Sequence, residues 1–245
     1  MRGPTSRSVL TIDWDYPVFK AAADAAPDGG SSATMRRAAL PRTTAFQFLG
    51  SSDPRPLLVL RECTTCSGTD DALLSTSENN EKTFLLSRWF HCVKLSPDVL
   101  EENHPFRNTF IEEEPPHLFV ASRDGSHMVP LRGDQSRAAL WAAMSDVLDR
   151  EYEKDADRAL KQLFGVLNDY DKIDDRIAQL EQRYEATLEK KGPGSKKLKK
   201  LARDLEKERA KKAALREEEA ELLDLGLVNP APAPDATPDP VGSTG

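Results

Sequence analysis

A short apolar segment followed by two cysteines constrains the fold of this chain more than any other feature. Residues Leu57–Leu60 are apolar, two charged residues follow, and the motif Cys63-x-x-Cys66 comes next. Such a run, with prolines before it and charges after it, predicts a buried strand. The following residues predict a helix from about Cys63 to Leu74, so both thiols are expected in the first turn of a helix that leaves a strand.

The chemistry of this position favours a reactive dithiol. Backbone N–H groups at the start of a helix carry partial positive charge, which stabilises a thiolate relative to a thiol. The two-residue spacing lets the sulfur of Cys66 reach that of Cys63 when a mixed disulfide has to be resolved. The alternatives are a vestigial pair and half of a metal site. Zinc needs four ligands, and the adjacent strand residues His91 and Cys92 point to opposite faces, so both cannot bind one ion.

Composition restricts the class of protein. The chain has 245 residues and a formal net charge of −7, so general nucleic-acid binding is not expected. Its three cysteines, two of them in one motif, do not form the disulfide framework of a secreted miniprotein and fit a reducing compartment. There is no recognisable secretory signal and no apolar run near the ~20 residues of a membrane helix. These features predict a cytoplasmic protein without membrane contact.

Further elements are predicted along the first 148 residues. Strands are expected at residues 9–14, 90–95, 117–122 and 127–131, and helices at 18–26, 43–50, 81–87 and 136–148, with one helical turn at 98–102. The pair Asp124-Gly125 predicts a tight turn between the last two strands, because Asp-Gly favours hairpin turns.

This order of elements resembles the thioredoxin superfamily over residues 9–148. The matching features are a strand followed by the dithiol motif, Pro116 just before the strand at 117–122, the Asp124-Gly125 turn and Gly133 before the last helix. The resemblance implies an α/β fold with a central mixed sheet flanked by helices. It also implies that Pro116 forms a cis peptide bond and faces the thiols.

The same resemblance implies a thiol–disulfide oxidoreductase. Cys63 would be the attacking thiolate and Cys66 the resolving thiol, while Thr64, Thr65 and Pro116 would contact the substrate. The substrate would be a protein disulfide or thiol client, and neither a metal nor an organic cofactor would be needed. His117, next to Pro116, could also approach the thiols, although a polar residue near the edge of the sheet with no role in the site is the simpler interpretation.

Three departures from the family pattern support a different function. Glu62 replaces the usual Trp before the first cysteine and is expected to raise the pKa of that thiol. Leu57 occupies the position of the buried acid that accepts the proton of the resolving thiol. Pro115 has no N–H to pair with a substrate backbone. These residues favour a catalytically weak scaffold whose C-terminal arm mediates protein–protein interaction.

The second half of the chain predicts a helical hairpin at residues 149–225. Apolar residues there repeat every three or four positions, the spacing of a coiled-coil seam, and Lys190–Ser195 contains the Gly and Pro that break the helix. An antiparallel coiled coil is therefore expected, with a dimer or a partner helix completing its thin seam and the arm serving for dimerisation or client docking. Residues 1–8 and the Pro/Ala-rich tail at 226–245 are expected to be disordered.

A cluster of lysines lies at the predicted hairpin tip. It consists of Lys190, Lys191, Lys196, Lys197, Lys199 and Lys200. Basic hairpin tips can contact RNA phosphates, but a solvated turn is the simpler interpretation. No aromatic residue interleaves with these lysines, which removes the base-stacking part of a nucleic-acid signature.

Overall fold

A five-stranded mixed sheet forms the centre of the molecule. A computed structural model describes residues 6–17, 38–50, 53–63, 73–74, 80–132 and 135–229. The strands are β1 (Trp14–Asp15), β2 (Leu57–Arg61), β3 (His91–Leu95), β4 (Leu118–Ala121) and β5 (Met128–Leu131). Their order is β1-β3-β2-β4-β5. β3 pairs in parallel with β1 and β2, whereas β4 is antiparallel to β2 and β5.

Helices cover both faces of this sheet. In the globular part they are α1 (Arg42–Gly50), α2 (Glu81–Ser87) and α3 (Arg137–Glu151). Along β2, Leu57 and Val59 pack in a core with α1, while Leu58 and Leu60 pack in a second core with α2 and α3. Because both faces of β2 are buried, its sequence is a continuous apolar run rather than an alternating one.

Most of the predicted elements are confirmed. The helix predicted at 43–50, the helix at 81–87, the strands at β2 to β5 and the helix from 136 all form within a few residues of their predicted bounds. The predicted strand at 9–14 is replaced by a 3-10 turn, Ser6–Val9, and the two-residue β1. The helical turn expected at 98–102 is a 3-10 turn, Pro97–Leu100. The helix predicted at 18–26 lies outside the described residues.

Two long helices form the predicted hairpin. They are α4 (Ala156–Lys191) and α5 (Lys196–Leu223). The side chains of Asp155 and Ser195 cap their N-termini by accepting backbone N–H groups. Leu180, Leu201 and Leu205 form a small buried cluster between the distal parts of the two helices. The α/β sheet with flanking helices and the two long C-terminal helices are therefore as predicted.

The proximal half of the hairpin belongs to the main core. Leu160, Leu163 and Leu167 of α4 pack in the same buried cluster as α2 and α3. Two hydrogen bonds tie the segments together: the Tyr152 hydroxyl donates to Trp89 O at 2.7 Å, and the Trp89 indole donates to Leu223 O at 3.0 Å. The chain leaves α3 at Tyr152 and starts α4 anew at Asp155, so α3 and α4 are separate helices.

No described helix has both the length and the apolar composition needed to cross a membrane.

The turn between β4 and β5 requires glycine at position 125. Gly125 has φ of 72°, and a Cβ there would lie 2.5 Å from Phe46 Cδ2. We expect Gly125→Ala to reduce the free energy of unfolding by about 2–4 kcal/mol, from left-handed strain and overpacking. Urea denaturation measures the effect.

In the matched control Gly165→Ala, the new Cβ meets nothing within 4 Å on α4. The free energy of unfolding of that variant should rise by about 0.5–1 kcal/mol, because alanine favours a helix interior more than glycine does. Equal effects at the two positions would contradict this expectation.

Candidate functional site

Cys63 lies at the carboxyl end of the central strand β2. It follows the strand by two residues, is half-buried and is not helical. Its sulfur is disulfide-bonded, whereas Cys92 is a free thiol. Thr64, Thr65 and Cys66 lie outside the described residues, as does most of the helix predicted from Cys63 to Leu74, of which Leu73 and Leu74 are helical.

Two backbone hydrogen bonds place Cys63 between the end of β3 and the start of β4. The Arg61 N–H donates to His117 O at 2.7 Å, and the Glu62 N–H donates to Leu95 O at 2.8 Å. The carboxyl ends of β2 and β3 and the amino end of β4 therefore meet at one edge of the sheet. We call this region the Cys63 edge; it consists of residues 61–63, residues 94–95 at the end of β3, residues 115–117 before β4, and Tyr16 after β1.

Arg61 is the buried cation of the Cys63 edge. It is only 7% exposed. Its Nη2 lies 3.2 Å from Pro115 O and 3.3 Å from His117 Nε2, and its guanidinium lies 6.0 Å from the centre of the Phe110 ring. A guanidinium has no acceptor, so His117 Nε2 must accept in the hydrogen bond with Arg61. Arg61 thus holds the segment that leads into β4 against β2.

Glu62, the residue before Cys63, is paired with a cation. Its Oε1 lies 2.9 Å from Lys94 Nζ, and that ammonium lies 5.9 Å from the centre of the Tyr16 ring. The carboxylate was expected to raise the pKa of the neighbouring thiol. Because Lys94 offsets its charge, the electrostatic effect of Glu62 on Cys63 is smaller than that of a lone carboxylate.

The prediction of a cis bond at Pro116 is wrong. Pro116 is buried and lies two residues before β4, at the expected position, but no peptide bond between residues 80 and 132 is cis. The trans form is lower in free energy even before proline, by about 0.5–1 kcal/mol. The carbonyl of Pro115 accepts from Arg61, so this residue contributes its acceptor to the site although it has no N–H to donate.

Cys92 and His91 are separate from the Cys63 edge. Cys92 packs in the core with α2 and α3, and burial raises the pKa of its thiol to about 12. A thiol with that pKa is protonated near neutral pH and is a poor nucleophile. His91 Nε2 instead lies 3.2 Å from Asp15 Oδ2. Among the described residues, no group of three or more His, Cys, Asp and Glu side chains is arranged to hold a metal ion.

Sequence reasoning did not identify Arg61, Lys94 and Tyr16 as members of this edge. In the sequence Arg61 directly follows the apolar residues 57–60, which marks it as the end of the strand, but its burial is visible only in the structure. Lys94 and Tyr16 have no such local signal. Their positions follow from the parallel pairing of β3 with β2 and β1.

Comparisons with known proteins give no relative from which a function could be transferred: no family model, no curated protein and no solved structure matches the chain.

Proposed function

We propose that this protein is a thioredoxin-like thiol–disulfide oxidoreductase that uses Cys63 and Cys66. The observation that carries the proposal is the disulfide bond of Cys63 at the carboxyl end of a central strand, while the third cysteine, Cys92, is free and buried. A mixed sheet in which one strand leads into the dithiol and another begins beside it is what the thioredoxin-like resemblance implies.

The reaction would be disulfide exchange. The Cys63 thiolate attacks one sulfur of a client disulfide, forms a mixed disulfide and releases the other client sulfur as a thiolate, which takes up a proton. Cys66 then attacks the Cys63 sulfur, which releases the reduced client and leaves the protein oxidised. Thr64, Thr65 and Pro116 would contact the client chain. The step requires neither a metal nor an organic cofactor.

The ion pair next to Cys63 supports this chemistry. Lys94 Nζ lies 2.9 Å from Glu62 Oε1 and offsets the charge of that carboxylate. A paired carboxylate destabilises a neighbouring thiolate less than a lone one does, so this pair favours the reactive form of Cys63. The protein would work in a reducing compartment such as the cytoplasm, with the helical hairpin serving for dimerisation or client docking.

Leu57 supports a second candidate, a scaffold of low activity. Its side chain is fully buried among apolar residues of the core under α1, where the family resemblance would place a buried acid. Without that acid, the proton of the resolving thiol has no acceptor at this position. In this case the sheet would carry the hairpin as an interaction arm, and the dithiol would turn over clients slowly.

The reduction potential of the dithiol tests the first candidate against the second. We expect a reversible couple near or below roughly −200 mV, the range of glutaredoxins and thioredoxins, when free thiols are counted across a series of glutathione buffers. Cys92→Ala is the background, because it removes the third thiol. The double variant Cys63→Ser, Cys92→Ala should form no intramolecular disulfide and should therefore show no reversible redox couple. A dithiol that stays reduced in the most oxidising buffer would favour the scaffold.

A further inference from the structure

The tip of the helical hairpin is a concentrated patch of positive charge. Between Leu188 and Arg203 there are seven cations and one carboxylate, Glu189. The six lysines of this patch are all exposed: Lys190, Lys191, Lys196, Lys197, Lys199 and Lys200. We call this set the tip lysines. The chain as a whole carries a net charge of −7, so the patch has the opposite sign to the rest of the molecule.

The tip lysines form no ion pair with any described residue, whereas four cations further down the same hairpin do. Lys172 pairs with Asp169, Lys211 with Glu208 and Lys212 with Asp174, at 2.5–2.9 Å. Arg209 also pairs with Glu181 across the two helices. Carboxylates therefore offset part of the positive charge of the shaft, whereas the tip presents its charges to solvent.

The start of α5 places cations where helix stability disfavours them. Lys196, Lys197 and Lys199 occupy its first turn, which contains no acidic residue. The positive end of the helix dipole repels each cation there, which lowers the stability of the helix. Nothing in the described packing compensates for this cost. A local conflict of this kind is typical of residues retained for binding rather than for folding.

The hairpin also separates the tip from the acidic body. Near the base of the hairpin the Tyr170 hydroxyl of α4 donates to Glu219 of α5, and α4 ends at Lys191, 21 positions later. At ~1.5 Å per residue this distance is roughly 30 Å. The Debye length is only ~8 Å at physiological ionic strength, so the negative charge of the body does not cancel the field at the tip.

We propose that the tip lysines bind the phosphate backbone of double-stranded nucleic acid without reading its sequence. Charge alone supplies the affinity in this kind of binding. Protein interfaces depend on aromatic and apolar anchors, and stable membrane attachment needs an apolar anchor besides the charges. The tip offers only Leu188, which is 39% exposed. Lysines provide point charges rather than the bidentate fork that reads a base, so no sequence preference is expected.

The inference is tested with the full-length chain and short fluorescein-labelled RNA and DNA duplexes. Fluorescence polarisation is recorded between about 50 and 200 mM salt. We expect binding to both duplexes, with log K falling against log salt at a slope of roughly −4 to −5. The triple substitution Lys196→Gln, Lys197→Gln and Lys200→Gln should weaken binding at least ~10-fold and make the slope smaller by about 3.

The matched control removes three ion-paired lysines from the same hairpin. Lys172→Gln, Lys211→Gln and Lys212→Gln change the net charge equally and should leave the affinity within about 2-fold of the parent. Glutamine is a good helix former, and circular dichroism verifies that both variants fold. Absence of duplex binding at the lowest salt would overturn the proposal. Equal losses in both variants, or tighter binding to phosphatidylserine-containing vesicles than to duplexes, would also overturn it.

Discussion

After reduction and removal of the reductant, the Cys66→Ala variant is expected to release one equivalent of thionitrobenzoate per chain from 5,5′-dithiobis(2-nitrobenzoate), where the reduced parent releases two. The Cys63 thiolate attacks the reagent, releases one thionitrobenzoate and keeps the other as a mixed disulfide. In the parent, Cys66 attacks that mixed disulfide, so the second thionitrobenzoate leaves and the intramolecular disulfide forms. Absorbance of the released thiolate gives the stoichiometry, and mass spectrometry shows the adduct on Cys63.

All variants in this experiment carry Cys92→Ala, so that the buried thiol adds nothing to the count. Cys63→Ser serves as the reciprocal control: Cys66 remains, but its adduct should form more slowly because the attacking residue is missing. The oxidoreductase assignment fails if mass spectrometry finds an adduct on each cysteine of the parent instead of an intramolecular disulfide, or if Cys63→Ser reacts as fast as Cys66→Ala. Either result would mean that Cys63 is not the attacking thiol of a resolving pair.

Replacing Phe119 by Ala is expected to lower the free energy of unfolding by about 3–5 kcal/mol. Phe119 lies in β4 and is fully buried. Its ring packs edge-on against Phe46, with centroids 6.4 Å apart, and against Phe110 at 5.9 Å. The substitution removes these contacts and leaves a cavity between the sheet and α1. Because a domain of this kind is stable by only about 5–15 kcal/mol, the midpoint of urea denaturation should fall strongly.

Phe48→Ala is the matched control for this prediction. Phe48 is on the same helix as Phe46 but is 46% exposed, so its loss should cost only about 0.5 kcal/mol. If the two phenylalanine variants unfold at the same urea concentration, the aromatic layer under α1 does not stabilise the protein as its burial indicates.

The sequence was sufficient for elements whose signals are local. β2 is a short apolar run, β3 has three apolar residues among its five, and the turn at Asp124-Gly125 has its own residue signature, so all three could be predicted without knowing their neighbours. β1 could not. It has two residues, and it is a strand only because Trp14 pairs with Cys92 of β3, a contact between distant parts of the chain. Pairing of this kind depends on tertiary structure.

The same distinction applies to the candidate site. The position of Cys63 after a buried strand followed from the motif, whereas Arg61 and Lys94 entered the site through strand register. The division of the chain near residue 149 reflects a change in composition. The structure shows that Leu160, Leu163 and Leu167 complete the main core, because one stripe of α4 is apolar and faces α2 and α3.

The continuity of α4 has a consequence for its hydrogen exchange. One helix runs from the main core to the tip, where its neighbours are reduced to α5. Amide protons near Leu160 can exchange only when the globular part unfolds, whereas those near Leu188 can exchange through fraying of the distal hairpin. A single helix should therefore show a gradient of protection along its length, highest at the base and lowest at Lys191.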